Sequence, residues 1–266
     1  MKQKKQHYLH LRSWVIFWIV GGGLILFRLG YDLKTYMFGS TIVIRQITPQ
    51  QQYDYLLHFP RGYHDFGKPR PLIIFLHGAG EVKKDVRVLK NLDIFHCANG
   101  NVPVKDFPFI VASPITPNHG WEPKRVVAFL DDFLKENRLR YHIDPNRIYL
   151  TGFSMGGFGT FHTACEYPDR FAAIVPLAGG CEPENATKLQ TVPTWAFHGD
   201  ADEVVAYENT EKIINAMKEL NHPNVRFTTL HDAGHGIPHL AYTQPELYLW
   251  LLKQRKTQRQ DERANP

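Results

Sequence analysis

The sequence predicts an α/β protein, a doubly wound and mostly parallel sheet entered through antiparallel strands. Three observations carry that expectation. After residue 71, six short apolar runs recur: LIIFL (72–76), FIVAS (109–113), RIYLTG (147–152), AAIVPLAG (172–179), TWAFHG (194–199) and VRFTTL (225–230). They are continuously apolar rather than alternating, as strands covered by helices on both faces must be. Longer helical stretches separate them, and this strand–helix succession is the signature of a doubly wound sheet. Ahead of them, residues 41–47 (TIVIRQI) and 53–59 (YDYLLHF) are β-branched or aromatic, and the first nearly alternates, as a half-exposed antiparallel strand does. Pro60-Arg61-Gly62 ends this pair.

Helices are expected at roughly 122–137, 155–167, 209–220 and 241–256. In the first, Val126, Val127, Leu130, Phe133 and Leu134 fall at helical spacing with charged residues between them. A hydrophobic share of 43% with 13% aromatics suits a substantial core and excludes a disordered chain. The spacing of elements assigns residues 40–253 to one catalytic domain and 254–266 to a polar tail.

The N-terminus has a different character. Residues 1–12 are basic, and residues 13–29 open on an uncharged run, SWVIFWIVGGGLILF, closed by Arg28. That run is shorter than the roughly 20 residues of a spanning helix, yet longer than most signal-peptide cores. Bulky residues follow it and no small-x-small cleavage site does, so an uncleaved anchor is favoured over a cleaved signal. Basic residues ahead of the run favour an inside N-terminus, with the catalytic domain membrane-anchored or secreted, outside the cytoplasm.

The formal charge of +5 does not indicate nucleic-acid binding, because the basic residues crowd both ends and the middle is balanced. Cys97, Cys165 and Cys181 form no CxxC pair, and an odd count leaves at least one thiol without an intramolecular partner. The histidines are scattered, with no HExxH, and no metal or other cofactor is expected.

Chemistry concentrates at Gly152-Phe153-Ser154-Met155-Gly156-Gly157, which fits G-x-S-x-G after a strand and before a helix. A turn that forces the serine into a strained conformation needs neighbours with almost no side chain. Ser154 is therefore the expected nucleophile. It needs a base. His235, in Asp-Ala-Gly-His-Gly after the last strand, is favoured over His231 and His239. The orienting acid is expected after TWAFHG, where Asp202 stands directly before the chain re-enters apolar packing; Asp200 is the alternative, read as a turn-former beside Gly199. The second half of an oxyanion hole is expected from His77-Gly78-Ala79-Gly80-Glu81, with the N–H of Ala79 acting beside that of Met155.

HGAGE, GFSMGGFGTF, HGDADEVV and DAGH resemble the α/β-hydrolase-fold esterases related to polyhydroxyalkanoate depolymerases and feruloyl esterases, and the predicted peptidases akin to prolyl oligopeptidase catalytic domains. The resemblance spans roughly residues 40–252. It implies Ser154, Asp202 and His235 as a triad and the HGAG loop as oxyanion hole, in agreement with the residue-level reading. No β-propeller segment accompanies them. The expected function is thus hydrolysis of small-molecule or polymeric carboxylic esters through an acyl-enzyme, with a serine peptidase or a non-catalytic binding protein of the same fold as alternatives. The stretch between Gly179 and Thr194 is too short for a cap domain, so an open cleft is expected. Gly80, Phe153 and Trp121 are expected to border the substrate, Trp121 by stacking on a ring, with a staple at the start of the next helix as its alternative role.

Overall fold

In the computed structural model the described residues are 39–44, 53–63, 68–100 and 107–256. They form an eight-stranded sheet: β1 (Ser40–Ile44), β2 (Tyr55–Phe59), β3 (Arg70–Leu76), β4 (Ile110–Pro114), β5 (Ile143–Phe153), β6 (Ala173–Leu177), β7 (Thr194–Gly199) and β8 (Val225–Leu230). The spatial order is β1-β2-β4-β3-β5-β6-β7-β8. β2 pairs antiparallel with β1 and β4, and every later pairing is parallel. The fold class read from the sequence is the one observed.

The continuous apolar runs have a direct explanation. Along β3, Leu72, Ile74 and Leu76 enter one buried cluster while Ile73 and Phe75 enter the other. Side chains alternate between faces, so a strand with a core on both sides has no polar positions left. On the first face pack α2 (Pro123–Asn137), α3 (Met155–Glu166) and α4 (Glu208–Glu219), through residues such as Phe129, Phe161 and Ile214. On the second lie α1 (Asp93–Ala98), α5 (Pro238–Tyr242) and α6 (Pro245–Lys253), through Phe95, Tyr242 and Trp250. Each such side chain, fully buried, stabilises the fold by about 1.5–3 kcal/mol relative to an exposed one.

Three elements differ from expectation. The single C-terminal helix expected over 241–256 is two helices, α5 and α6, separated at Thr243 and Gln244. Pro245 causes the break: the residue before a proline is pushed from helical into extended backbone, and Gln244 has φ −79° and ψ 112°. Helix α1 was not foreseen; it is six residues long, too short for a clear apolar period. Strand β5 starts earlier than expected, because Ile143 pairs with Arg70 beyond an irregularity between Arg70 and Leu72. The expected anchor at 13–29, residues 45–47 of the first strand, and the tail beyond Lys256 lie outside the described residues. Among the described residues no helix is long and apolar enough to cross a membrane.

The start of β5 is tied to the C-terminal segment through one carboxylate. Asp144 accepts from Arg147 Nε at 2.8 Å, from Arg255 Nη2 at 3.1 Å and from the Asn146 N–H at 3.0 Å. Burial pushes this carboxyl up, but the Asn146 N–H and the two guanidinium groups outweigh it and hold it below its ordinary value. A depressed folded-state value contributes stability that is present above the unfolded value and lost as pH falls through the folded one. Asp144→Asn is therefore expected to cost about 1–2 kcal/mol near neutral pH. Thermal melts of both forms across pH should converge in acid, below the ordinary aspartate value of 3.8; a gap of constant size down to the lowest pH would contradict the assignment.

Candidate active site

The turn between β5 and α3 carries Ser154 at φ 55° and ψ −116°, a strained conformation for a residue with a side chain. Its surroundings enforce it. The Ser154 N–H donates to the Leu177 carbonyl at 2.9 Å, anchoring the turn to β6. On the other side a Cβ added at Gly156 would stand 1.9 Å from the Leu76 carbonyl oxygen of β3, and one at Gly152 would stand 2.4 Å from the Gly156 carbonyl oxygen. Only glycine lets the helix enter so close to the sheet.

His235, in the loop after β8, meets this serine. Its Nδ1 lies 2.7 Å from Asp202 Oδ2 and its Nε2 lies 2.9 Å from Ser154 Oγ. A carboxylate only accepts, so Nδ1 carries the proton, and the Ser154 hydroxyl donates to the free pair on Nε2. Asp202 has no exposed side-chain surface, whereas His235 keeps 21% of its own. The other Asp202 oxygen, Oδ1, accepts from the N–H groups of Val204 and Val205, both at 2.9 Å. Burial pushes the Asp202 carboxyl up; donation by His235, Val205 and Val204 outweighs it and keeps the group below its ordinary value, hence ionised at working pH.

The sequence reading missed a second imidazole on this carboxylate. His198, at the end of β7, is fully buried, with Nε2 at 2.9 Å from the Val205 carbonyl and 3.2 Å from Asp202 Oδ2. Two acceptors there require the proton on Nε2. Its Nδ1 lies 2.6 Å from the Thr210 hydroxyl, which also reaches the Gly179 carbonyl. Burial lowers the His198 imidazole below its ordinary value, against the opposing pull of the Val205 carbonyl and Asp202, so it is neutral at neutral pH. The available signal was a histidine closing an otherwise apolar strand, TWAFH, where a buried polar ring needs a partner.

The HGAG loop follows β3 and lies beside the serine turn: a Cβ on Gly78 would be 3.5 Å from Phe153 Cδ1. Ala79 opens a 3-10 turn and Met155 opens α3. The N–H of a first helical residue has no intrahelical acceptor, and the helix dipole adds positive potential there. Both are thus suited to hold an oxyanion. His77 secures the loop from beneath. Its Nε2 accepts from the Thr116 N–H at 3.0 Å, so Nδ1 carries the proton and donates to the Gly78 carbonyl at 2.7 Å.

Of the residues expected to border substrate, Gly80 is exposed on the 3-10 turn, and Phe153 is partly exposed with its ring centroid 4.7 Å from that of His235. Trp121 is a correction. It is 5% exposed, donates through Nε1 to the His77 carbonyl at 3.0 Å and packs on Gly159. An indole wedged between the HGAG loop and α3 offers no face for stacking; it supports the loop. The other candidate base and acid pair with each other, His231 Nδ1 meeting Asp200 Oδ2 at 2.8 Å on the surface, and His239 lies exposed in α5.

Comparison with known proteins agrees with this architecture. Residues 124–243 match the phospholipase/carboxylesterase family model. The chain is 31% identical over 126 residues to the bifunctional acetylxylan esterase/xylanase XynS20E of Neocallimastix patriciarum, covering 47% of this chain and 17% of that protein. It is 33% identical over 120 residues to poly(3-hydroxyalkanoate) depolymerase C of Paucimonas lemoignei, covering 41% of this chain and 28% of that one. The matches therefore span less than a third of either relative's length. Among solved structures, a thermostable esterase superposes with a TM-score of 0.64 at 26% identity, over 82% of this chain and 63% of the other. The chain has the α/β-hydrolase fold, and the proteins it resembles in sequence are serine hydrolases, chiefly carboxylesterases.

Proposed function

We propose that the chain hydrolyses carboxylic esters through an acyl-enzyme formed on Ser154. The observation that carries this reading is the unbroken relay from the Ser154 hydroxyl through His235 to the buried Asp202 carboxylate. Ser154 Oγ attacks the ester carbonyl carbon as its proton passes to His235 Nε2. The N–H groups of Ala79 and Met155 hold the oxyanion, and Asp202 stabilises the imidazolium. Collapse expels the alcohol, which takes the proton from His235. Water then gives a proton to His235 and attacks the acyl carbon, releasing the acid and restoring Ser154.

Ser154, Phe153, Met155 and His235 all keep partial exposure, which supports a cleft open to bulky or polymeric esters. The names of the esterase and depolymerase relatives point the same way. The basic N-terminus and the apolar run after it further support a domain exported from the cytoplasm while held at the membrane, or secreted. Cell fractionation should then find it in the membrane or exported fraction; an intact chain recovered from cytosol would oppose the proposal.

Ser154→Ala is expected to lower kcat by several orders of magnitude and to abolish labelling by a fluorophosphonate. A panel of p-nitrophenyl esters, feruloyl esters and short peptide amides should show ester turnover far above amide turnover. Preference for the peptide amides would favour the peptidase reading. His198 acts on the triad only through Asp202, so His198→Ala should reduce kcat by up to about 100-fold with little change in KM. A kcat equal to the parent's would remove His198 from the positioning machinery.

A further inference from the structure

We propose that Cys165 and Cys181 are a built disulfide site, oxidised by thiol–disulfide exchange, that staples the nucleophile helix to the segment beneath the triad. The sulfurs lie 3.8 Å apart, closer to each other than unrelated buried thiols need be. Cys165 is in the last turn of α3 and 6% exposed; Cys181 follows β6 in irregular backbone and is partly exposed.

The pairing is unique by topology. The third thiol, Cys97, donates to the Tyr242 carbonyl at 3.1 Å within the cluster on the second face of the sheet. Cys165 and Cys181 belong to the first face. The sheet separates them, so Cys97 is the unpaired member that an odd count demands.

The two thiols are also chemically unequal. The S–H shared from Cys181 lowers Cys165 below its ordinary value against the opposing effect of burial, with Lys188 assisting, and the same sharing holds the proton on Cys181. Cys165 is therefore the attacking thiolate and the more exposed Cys181 the resolving thiol. The Cys165 thiolate attacks one sulfur of, for example, oxidised glutathione, forming a mixed disulfide and releasing one glutathione thiolate. Cys181, its proton passing to that released thiolate, then attacks the Cys165 sulfur and expels the second glutathione. Two thiols are oxidised and one external disulfide is reduced; the two thiol protons leave with the two glutathiones.

The location gives the bond its consequence. Gly179, two residues before Cys181, supplies the carbonyl contacted by Thr210, which in turn meets His198 and so Asp202. A bridge here ties the helix that begins at the nucleophile to the segment on which that network ends.

The test uses the full chain equilibrated with oxidised glutathione, denatured without reductant, alkylated and digested with trypsin. Arg170 and Lys188 separate the two cysteines into peptides 148–170 and 171–188. The expected result is that these two peptides are found joined and Cys97 alone carries the alkyl group, with all three cysteines alkylated after reduction. The oxidised chain should also melt roughly 5–10 °C above the reduced one, a difference that Cys181→Ser removes. Alkylation of all three thiols after oxidation, a persistent glutathione adduct on Cys165, or a link involving Cys97 would each overturn the proposal, as would equal melting temperatures. The peptide map requires no catalysis, so its outcome is independent of whether Ser154 hydrolyses esters.

Discussion

The structure turns on how closely the backbone of α3 approaches the carbonyl edge of the sheet. At Gly156 the helix runs against the Leu76 carbonyl of β3, and at Gly157 against the Leu177 carbonyl of β6, each at a distance that excludes a Cβ. Wedged between the two, Ser154 takes a positive φ, and its N–H is drawn to Leu177. The strain of that turn is offset by the two-faced core on which β3, β5 and β6 rest. The serine oxygen is thereby aimed by backbone contacts rather than by a flexible side-chain choice. The same contacts set the N-terminus of α3 directly after the serine.

The rest of the site is arranged around one buried charge. An ionised carboxylate with no exposure is tolerated only when its lone pairs are fully used. Asp202 meets that condition with two backbone N–H groups on one oxygen and two imidazoles around the other. The two imidazoles have different tasks. His235 faces the serine and stays partly exposed, while His198 is sealed and ends in a hydroxyl and two carbonyls. The loop after β7 is thus held by its own polar groups as well as by apolar packing.

The HGAG loop is supported in the same economical way. His77 locks its conformation with both ring nitrogens, and Trp121 closes the space between that loop and α3 with its indole N–H satisfied. In the linear sequence Trp121 stands in a loop with Asn118, His119 and Gly120, a setting in which aromatics often contact ligands. Gly159, thirty-eight residues away, makes by its lack of a side chain the slot that the indole fills.

What the sequence by itself determined was local and periodic. Continuous apolar runs specified strands buried on both faces, and the glycines around Ser154 specified the tight turn. Those signals survive in one dimension because each depends on residues a few positions apart. The tertiary structure decided what depends on residues distant in the chain: that His198 shares the Asp202 carboxylate, that Trp121 faces inward, and that the sheet sets Cys97 apart from Cys165 and Cys181. Burial and hydrogen-bond partnership are properties of position in space, and the linear order carries them only where a short-range pattern happens to encode that position.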